Sequence, residues 1–352
     1  MKIGIYTDVH CAYTSSILPL HCGDSKYTTR LKMIIDTFQW MYALFHEHRV
    51  DMIVNCGDLF DSHSLRSEEI AAMSEALSYS TGIPEFHVLG NHEILDKNRN
   101  FYATALLSNY SHIEVIQTPT KYDNLSFLPY MSAEDVEEVL PMLKNQILFS
   151  HIDIQGSMVT PQHMLESGVD PIQLLDLFDF VINGHLHSPQ SFGDYIHNIG
   201  ASTSLSFADN SEYTPSVTIL DTEGMTFERF ENPHAIRFIK MNVEDQAEFE
   251  RHMKNVHNPV ALRVTVPYDK KTDAETWVSQ HWSDNPNDLV ACRIMSDGVG
   301  YTPTMTSEEL DLSSMQSMDV VDKFKQFLHT QPLKYPIESY ISEIEEFSGG
   351  AQ

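Results

Sequence analysis

Apolar runs that end on glycine or a polar residue recur along the first half of the chain. Buried runs of about four to eight residues bounded in this way are typical of interior strands. Sandwich and α/β folds build their sites from polar residues at strand ends, so we expect the residues that follow these strands to meet at one rim. The predicted strands are 1–7, 51–56, 86–89, 146–150 and 180–183.

Apolar residues at helical spacing alternate with these runs and predict an α/β (α+β) domain. Shorter apolar runs at 114–116 and 125–128 predict two more strands, and runs at 195–199, 216–222 and 225–230 are interpreted as the antiparallel edge of a second sheet. The predicted helices of this domain are 28–48, 67–79, 99–109 and 133–145.

A second unit is predicted after Pro233, where the pattern changes. Residues 234–304 alternate strand, helix, strand, helix and strand, which indicates a small α/β module. From Ser307 the chain is acidic and helical, with two amphipathic stretches whose apolar faces must be buried on a partner or on their own domain. The predicted domains are therefore 1–232, 233–304 and 305–352.

Polar residues after the predicted strands form a pattern of metal-binding type. One Asp-x-His or Gly-His-x-His would be weak evidence, because a single histidine is usually a satisfied core or surface group. Five such fragments in order indicate a site for two divalent ions, which needs carboxylate, imidazole and amide ligands. The residues are Asp8, His10, Asp58, Asn91, His92, His151, His185 and His187.

Asp58 is the natural carboxylate bridge between two ions. Asp8 and His10 are two residues apart, so alternation along a strand would point both toward one ion. We expect the glycines that precede three of the fragments to supply backbone conformations for sharp turns. These glycines are Gly57, Gly90 and Gly184.

The remaining candidates complete the ligand set and add an acid. His185 and His187 have the same two-residue step and are expected to offer one imidazole to each ion. Asn91 supplies a neutral oxygen and His151 a further imidazole. His92 lies beside a ligand and is expected to be free of metal, so it is the candidate catalytic acid.

These motifs resemble those of the calcineurin-like metallophosphoesterases, whose family fold is a two-sheet sandwich flanked by helices. The chain is most similar to the SbcD-type DNA nuclease subunits of bacteria and their phage relatives. That narrower resemblance rests on residues 57–61 followed by a polar loop and helix, on 199–207, where Ala201 replaces a small hydroxyl residue, and on the module from Ala235. The motifs of the broader resemblance are Asp8-Val9-His10, Gly57-Asp58, Gly90-Asn91-His92-Glu93, His151 and Gly184-His185-Leu186-His187.

The resemblance implies a nuclease that uses two manganese ions. It further implies that the module at 233–304 is a DNA-capping domain and that the helices of 305–352 bind an SbcC-like ATPase of the SMC family. Dimerisation through helices of the first domain is another expectation from the resemblance, with covering of the sheet as the alternative. His63 and Arg66, in the loop after Asp61, are candidates for contact with the DNA backbone.

Composition limits how this activity is expected to work. The net charge of −28 argues against tight unaided binding of DNA, since phosphate neutralisation by basic residues supplies most of such affinity. Bound divalent ions or a basic partner would fill that gap. The chain has four cysteines without C-x-x-C spacing, no visible secretory signal and no apolar run of membrane length, which favours a cytoplasmic protein. The moderate length favours a viral version acting in a bacterial host.

Two alternatives remain open from the sequence. The same metal centre would serve a phosphatase or a small-molecule phosphodiesterase, although the added module and terminal helices favour the nuclease. A non-catalytic DNA-end adaptor for the ATPase is the second alternative, and a complete ligand set with His92 argues against it.

Overall fold

The computed structural model describes residues 1–15, 17–20, 25–95, 101–160, 163–208, 213–254, 256, 258–283 and 288–297. Residues 1–297 form one compact unit. The predicted C-terminal helical region, 305–352, lies outside the described residues, as does the end of the module predicted for 233–304.

Fourteen strands and four α-helices occupy the described part of the first 232 residues. The helices are α1 (Thr29–Glu47), α2 (Ser67–Leu77), α3 (Ala133–Val139) and α4 (Pro171–Leu177). The strands are β1 (Lys2–Tyr6), β2 (Met52–Asn55), β3 (Glu85–Val88), β4 (Ile113–Ile116), β5 (Thr120–Tyr122), β6 (Leu125–Leu128), β7 (Asn145–Ser150), β8 (Met158–Thr160), β9 (His163–Met164), β10 (Phe178–Asn183), β11 (Gln190–Phe192), β12 (Ile196–Asn198), β13 (Ser216–Asp221) and β14 (Thr226–Glu231).

Two six-stranded sheets carry the fold. The first has the order β14-β13-β1-β2-β3-β4, with β1 to β4 parallel and β13 and β14 antiparallel at one edge. The second has the order β11-β12-β10-β7-β6-β5, with a parallel centre and an antiparallel strand at each edge. Because the central strands are parallel, their carboxyl ends lie together at the same end of each sheet.

The sheets pack face to face through one apolar cluster. Ile5 and Val54 of the first sheet meet Phe149 and Ile182 of the second in this cluster. The opposite face of the first sheet is covered by α1 and α2, and that of the second by α3 and α4. The result is the helix-flanked, two-sheet sandwich expected for the fold class.

Three details differ from the sequence prediction. Strands β13 and β14 extend the first sheet, beside β1, and not the second. The helix predicted for 133–145 stops at Val139 and continues as a 3₁₀ turn, Leu140–Leu143, because Pro141 lacks the N–H that an α-helix requires. The described part of the helix predicted for 99–109 is a 3₁₀ helix, Ala103–Asn109.

A three-stranded parallel sheet follows Pro233. Its strands are β15 (Arg237–Asn242), β16 (Val260–Pro267) and β17 (Leu289–Asp297), in that order, with α5 (Gln246–Met253) and α6 (Lys271–His281) between them. Its core joins Phe249 of α5 to Val264 of β16 and Val278 of α6. Asn232 ties this sheet to the larger part of the unit, because its carbonyl accepts the side-chain amide of Asn258 (2.7 Å) while its own amide donates to Ser202 O and to Thr37 Oγ1.

A buried polar cluster lies beneath the first sheet. Glu85 of β3 is 1% exposed and accepts hydrogen bonds from the hydroxyls of Tyr6 (2.7 Å) and Tyr42 (2.9 Å). Nε2 of His87 lies 2.9 Å from the same carboxylate. Burial alone would raise the pKa of Glu85, but the bonds from His87 and the two tyrosines outweigh it, so the pKa is lowered.

Replacing Glu85 should therefore destabilise the fold strongly. Glu85→Ala removes the carboxylate to which an imidazole and two hydroxyls bond in the core, and we expect a loss of about 3–5 kcal/mol in the free energy of unfolding. Urea denaturation at pH 7 measures this loss, and Glu138→Ala, an exposed glutamate of α3, is the matched control. Because the carboxylate's pKa is lowered in the fold, the wild-type advantage is present above pH 4.5 and disappears as the pH falls through the folded pKa. Equal stability of the two variants would contradict the prediction.

Candidate metal centre

The candidate residues lie in the loops that follow β1, β2, β3, β7 and β10. The first two loops run side by side, because the N–H groups of Asp8 and His10 donate to the carbonyls of Gly57 (3.0 Å) and Asp58 (2.9 Å). Asp8, His10 and Asp58 adopt left-handed backbone angles, with φ of 51°, 47° and 53°. Asp8 and His10 therefore follow the end of β1 and do not alternate along it as predicted, yet both side chains face the centre.

The first group of possible ligand atoms comprises Asp8, His10 and His187. The Nε2 atoms of His10 and His187 lie 3.1 Å apart. Asp8 is fully buried, and its Oδ2 accepts hydrogen bonds from Thr7 Oγ1 (2.7 Å) and from the N–H of His185 (3.1 Å). Its Oδ1 has no hydrogen-bond partner in the described structure, so a buried carboxylate oxygen is available to a cation.

The second group comprises Asp58, His151 and His185. Nε2 of His151 lies 3.3 Å from Asp58 Oδ2, 3.3 Å from His185 Nδ1 and 3.1 Å from Asn91 Oδ1. The other ring nitrogen of His151, Nδ1, donates to the carbonyl of Cys56 at 2.7 Å, which leaves a lone pair on Nε2 in the neutral ring.

Asp58 lies between the two groups. Its Oδ2 is 3.8 Å from His10 Nε2 in the first group and 3.3 Å from His151 Nε2 in the second. Its Oδ1 accepts the backbone N–H of His92 at 3.0 Å. This carboxylate therefore has the position that a bridge between two ions requires.

The donor set fits a pair of divalent cations. Ligand atoms bound to one ion at about 2.1 Å lie about 3.0–3.4 Å apart. The pair His10–His187 (3.1 Å) and the contacts of His151 Nε2 (3.1–3.3 Å) have this separation, and Asp8 Oδ1 lies 3.8 Å from His10 Nε2. Mixed imidazole, carboxylate and amide ligands suit transition metals such as manganese, iron, zinc and cobalt. The buried Oδ1 of Asp8 accepts no hydrogen bond and lies near His10 Nε2, which fits an oxygen that binds a cation.

Two further carboxylates hold imidazoles in place. Asp61 Oδ1 lies 3.1 Å from Nδ1 of His10, and Asp153 Oδ1 lies 3.0 Å from Nε2 of His185. The other ring nitrogen of each residue, Nε2 in His10 and Nδ1 in His185, faces the centre. Asp153 was not predicted as a site residue, and Asp61 appeared only as part of a motif.

His92 borders the first group without belonging to it. Its ring packs edge-on against His10, with centroids 4.7 Å apart, and its side chain is 42% exposed. Nδ1 lies 3.0 Å from the carbonyl of Asp61, which leaves Nε2 for proton transfer. His10, Asp61 and His92 also form a third cluster of possible ligands. Because Nδ1 of His10 is already held by Asp61, we assign that cluster to orientation of the rings.

Glycine is required for different physical reasons at the three positions before the candidate ligands. Gly57 has a φ of 105°, as a sharp turn predicts. Gly90 and Gly184 do not have positive φ, so the prediction is wrong for them, and close approach is the reason instead. A Cβ on Gly90 would lie 2.0 Å from Asp58 Oδ1, and one on Gly184 would lie 2.3 Å from Thr7 Oγ1.

Two buried ionisable residues support the loops, and sequence reasoning assigned neither of them a role. Arg30 of α1 is 3% exposed and donates to the carbonyls of Val9 (2.8 Å) and His10 (3.0 Å). Glu93 accepts the backbone N–H groups of Leu59 (3.0 Å), Phe60 (3.2 Å) and Gly90 (3.0 Å). Burial and the nearby Asp58 raise the pKa of Glu93 to about 8. Such groups become visible only when the loops are folded together.

The candidates for DNA contact lie in the loop before α2. His63 is exposed, and the guanidinium of Arg66 is 5.0 Å from the centroid of the Tyr13 ring. Glu69 accepts the backbone N–H groups of Arg66 (2.8 Å) and Tyr13 (2.7 Å), so the loop and the segment after β1 are joined.

Without cations, the centre balances its charge with protons. Burial alone would lower the pKa of His10, but the carboxylates of Asp61 and Asp8 raise it to about 10. Burial likewise opposes protonation of His151, and the carboxylate of Asp58 raises its pKa to about 9. Burial raises the pKa of Asp58, but His151 and His10 outweigh it and lower the pKa below its usual range. Both imidazoles are therefore charged at neutral pH in the protein without metal.

Metal binding should consequently release protons. Ligation requires neutral imidazoles, so uptake of two ions at pH 7.5 should expel about two protons, and the association constant for the pair should rise about a hundredfold per pH unit. The rise should fall to about tenfold per pH unit above the raised pKa of His151, about 9, and end above that of His10, about 10. Anaerobic calorimetric titration with Mn²⁺ in buffers of different ionisation enthalpy counts these protons.

The same pKa shifts set the stability of the metal-free fold. Raised histidine pKa values stabilise it fully below pH 6.5, and this stabilisation is lost as the pH rises through about 9 and about 10. The unfolding temperature of the chelated protein should fall over that range, whereas that of the manganese-loaded protein should not. Release of no protons on binding would contradict both expectations.

Comparison with known proteins agrees with this geometry. The family model of the calcineurin-like phosphoesterases matches residues 1–189. The chain belongs to the calcineurin-like phosphoesterase family, a class of metal-dependent hydrolases of phosphate esters.

Among known proteins, a nuclease subunit and a DNA double-strand break repair protein are similar to the chain. The SbcD component of the SbcCD nuclease of Staphylococcus epidermidis is 24% identical over 279 residues, which cover 66% of this chain and 74% of that protein. The DNA double-strand break repair protein Mre11 of Sulfolobus acidocaldarius is 23% identical over 278 residues, which cover 71% of this chain and 70% of that protein.

Solved structures of phosphoesterases also match. A dimetal phosphatase from Danio rerio has 13% identity and a TM-score of 0.38, with 66% of this chain and 96% of that chain covered. An archaeal phosphodiesterase has 16% identity and a TM-score of 0.36, with 66% and 99% covered. No α-helix within the described residues is both long and apolar enough to cross a bilayer.

Proposed function

We propose that this protein is a two-metal DNA nuclease, the nuclease subunit of an SbcC–SbcD-like complex in DNA recombination, repair or replication. The proposal rests mainly on one observation: two ligand groups converge on Asp58, and His92 lies beside them. The similarity to SbcD and Mre11 proteins supports DNA as the substrate.

The proposed ligands are divided between two ions. Asp8, His10 and His187 would hold the first ion, and Asn91, His151 and His185 the second, with Asp58 shared. When bound, two divalent cations, manganese by our proposal, supply the charge that attracts a phosphodiester and lower the pKa of water.

The protein's own residues orient the reaction. Asp61 holds Nδ1 of His10, so this ring presents Nε2 to the centre. As water adds to phosphorus and loses a proton to solvent, His92 donates a proton from Nε2 to the sugar oxygen whose bond to phosphorus breaks, while its Nδ1 is held by the carbonyl of Asp61. The half-exposed ring allows this group to touch substrate while His10 beside it stays buried.

Partners follow from the same proposal. The helices of 305–352 would bind the ATPase, the module from 233 would cap the DNA, and two copies would pair through helices of the first domain. A partner with a basic surface would also compensate the net charge of −28.

The net charge of −28 favours the main alternative function, a phosphatase or small-molecule phosphodiesterase with the same metal centre. The decisive test offers manganese-loaded protein linear duplex DNA, circular single-stranded DNA and bis-p-nitrophenyl phosphate. Asp58→Asn, assayed in parallel, excludes contaminating nucleases. We expect cleavage of DNA by the wild type. Hydrolysis of the ester but of neither DNA, even with the partner ATPase added, would reject the nuclease, and no hydrolysis of any substrate would favour a non-catalytic adaptor.

A further inference from the structure

Asp153 faces the second ligand group from the loop that carries His151. Its Oδ1 lies 3.0 Å from Nε2 of His185, and its side chain is 40% exposed. His185 is itself 20% exposed, whereas His10 is 1% and His151 0% exposed. Packing therefore restrains the ring of His185 less than the rings of His10 and His151.

The backbone of Asp153 is held on a rigid frame. Its carbonyl accepts the N–H of Val169 at 2.9 Å, and Ile154 forms a β-bridge with the same residue. Gly168 packs so closely that a Cβ there would lie 2.7 Å from the carbonyl oxygen of Asp153. On the other side, Asn183 bonds both the N–H (3.1 Å) and the carbonyl (3.0 Å) of Ile152. The backbone contacts thus fix the position from which the carboxylate of Asp153 extends.

The orientation of the His185 ring decides which atom the second group receives. Rotation about the terminal side-chain torsion of histidine is broad and roughly two-fold, so a half turn exchanges nitrogen and carbon positions of the ring. Acceptance of the Nε2 proton by Asp153 leaves the lone pair on Nδ1, 3.3 Å from His151 Nε2. The backbone of His185 is held in place, because its φ is 76° and its N–H donates to Asp8 Oδ2. This fixes the Cα position from which the ring extends.

We propose that Asp153 is a positioning residue for the second ion, acting through His185 to select the Nδ1 lone pair. This inference rests on the proposed metal centre and adds a residue that the ligand motifs do not contain. Asp61 has the corresponding role for His10 on the first ion, with the opposite ring nitrogen exposed to the centre. Each ion therefore has its own orienting carboxylate.

Manganese binding measures this role without reference to activity. Calorimetry and electron paramagnetic resonance are applied to full-length wild type, Asp153→Ala, Asp153→Asn and Asp179→Ala. Asp179 is an exposed carboxylate on β10, the strand that leads to His185, and serves as the matched control. In Asp153→Ala we expect one ion at unchanged affinity and the other weakened about 10–100-fold, with the spectrum of a single uncoupled ion at limiting manganese. Asp153→Asn should recover part of the loss, because its amide oxygen accepts the same bond.

Measurements in a second parent variant, His187→Ala, identify which of the two ions is weakened. His187→Ala removes a ligand of the first group only and leaves one ion in the second group. Adding Asp153→Ala to it should weaken the remaining ion about 10–100-fold, whereas adding Asp61→Ala should change it little.

The outcomes separate this inference from the proposal on which it rests. Fewer than two manganese ions bound by the wild type would overturn the metal centre itself. Two ions in the wild type, with unchanged affinities in Asp153→Ala, would overturn the positioning role alone. The positioning role is also overturned if Asp153→Ala lowers the unfolding temperature but leaves both affinities intact, since that is the effect of a purely structural contact.

Discussion

Asp58→Asn should abolish hydrolysis and weaken the binding of both ions. The carboxylate of Asp58 lies within reach of an imidazole nitrogen in each ligand group, 3.8 Å from His10 Nε2 and 3.3 Å from His151 Nε2. We expect a fall in turnover of more than about 10⁴-fold, beyond the effect of losing a general acid. Turnover of bis-p-nitrophenyl phosphate and manganese content after dialysis measure the two effects.

The asparagine preserves the local fold. Asn tolerates the left-handed backbone of Asp58, and its Oδ1 still accepts the N–H of His92. Asp123→Asn is the matched control, because Asp123 is exposed and has a φ of 52°, close to the 53° of Asp58. Full manganese content in Asp58→Asn would remove the shared carboxylate from the proposal.

His92→Ala should retain both ions yet lose cleavage of DNA by about 10²–10⁴-fold. Its Nδ1 faces the carbonyl of Asp61 and its ring is 42% exposed, which suits a proton donor better than a buried ligand. Cleavage of linear duplex DNA and metal content are measured on the same preparation.

The leaving group distinguishes an acid from a structural residue. A p-nitrophenolate leaves without protonation, so the same variant should lose less than about tenfold with bis-p-nitrophenyl phosphate. His46→Ala, an exposed histidine near the end of α1, is the control. A loss of manganese in His92→Ala would instead assign His92 to the ligands.

The strands and the residues after them were predictable because both signals are local. A buried parallel strand is a continuous apolar run, and its carboxyl end is marked by glycine or a polar residue. The run before Asp58 and the run before His185 therefore identify both the strand and the candidate ligand. The interruption of the helix after Val139 was also predictable, since Pro141 stands in the sequence.

The remaining features depend on contacts between distant parts of the chain. Strand β13 pairs with β1 across more than two hundred residues, and no local pattern says which sheet an edge strand joins. The bond of Asp153 to His185 spans 32 residues, and an Asp two positions after a histidine has no motif of its own. Arg30 is similar, because a helix residue reveals its carbonyl partners only after folding.

The left-handed backbone at four candidate ligands has an evolutionary consequence. Asp8, His10, Asp58 and His185 hold conformations that cost non-glycine residues energy, and the first three place ionisable groups in the buried interior. A descendant that abandoned chemistry would gain robustness by replacing them with smaller or neutral residues, while the sandwich beneath stayed intact. In this architecture, loss of catalysis would therefore increase stability. Retention of all four residues in a protein of this fold indicates continuing selection for catalytic activity.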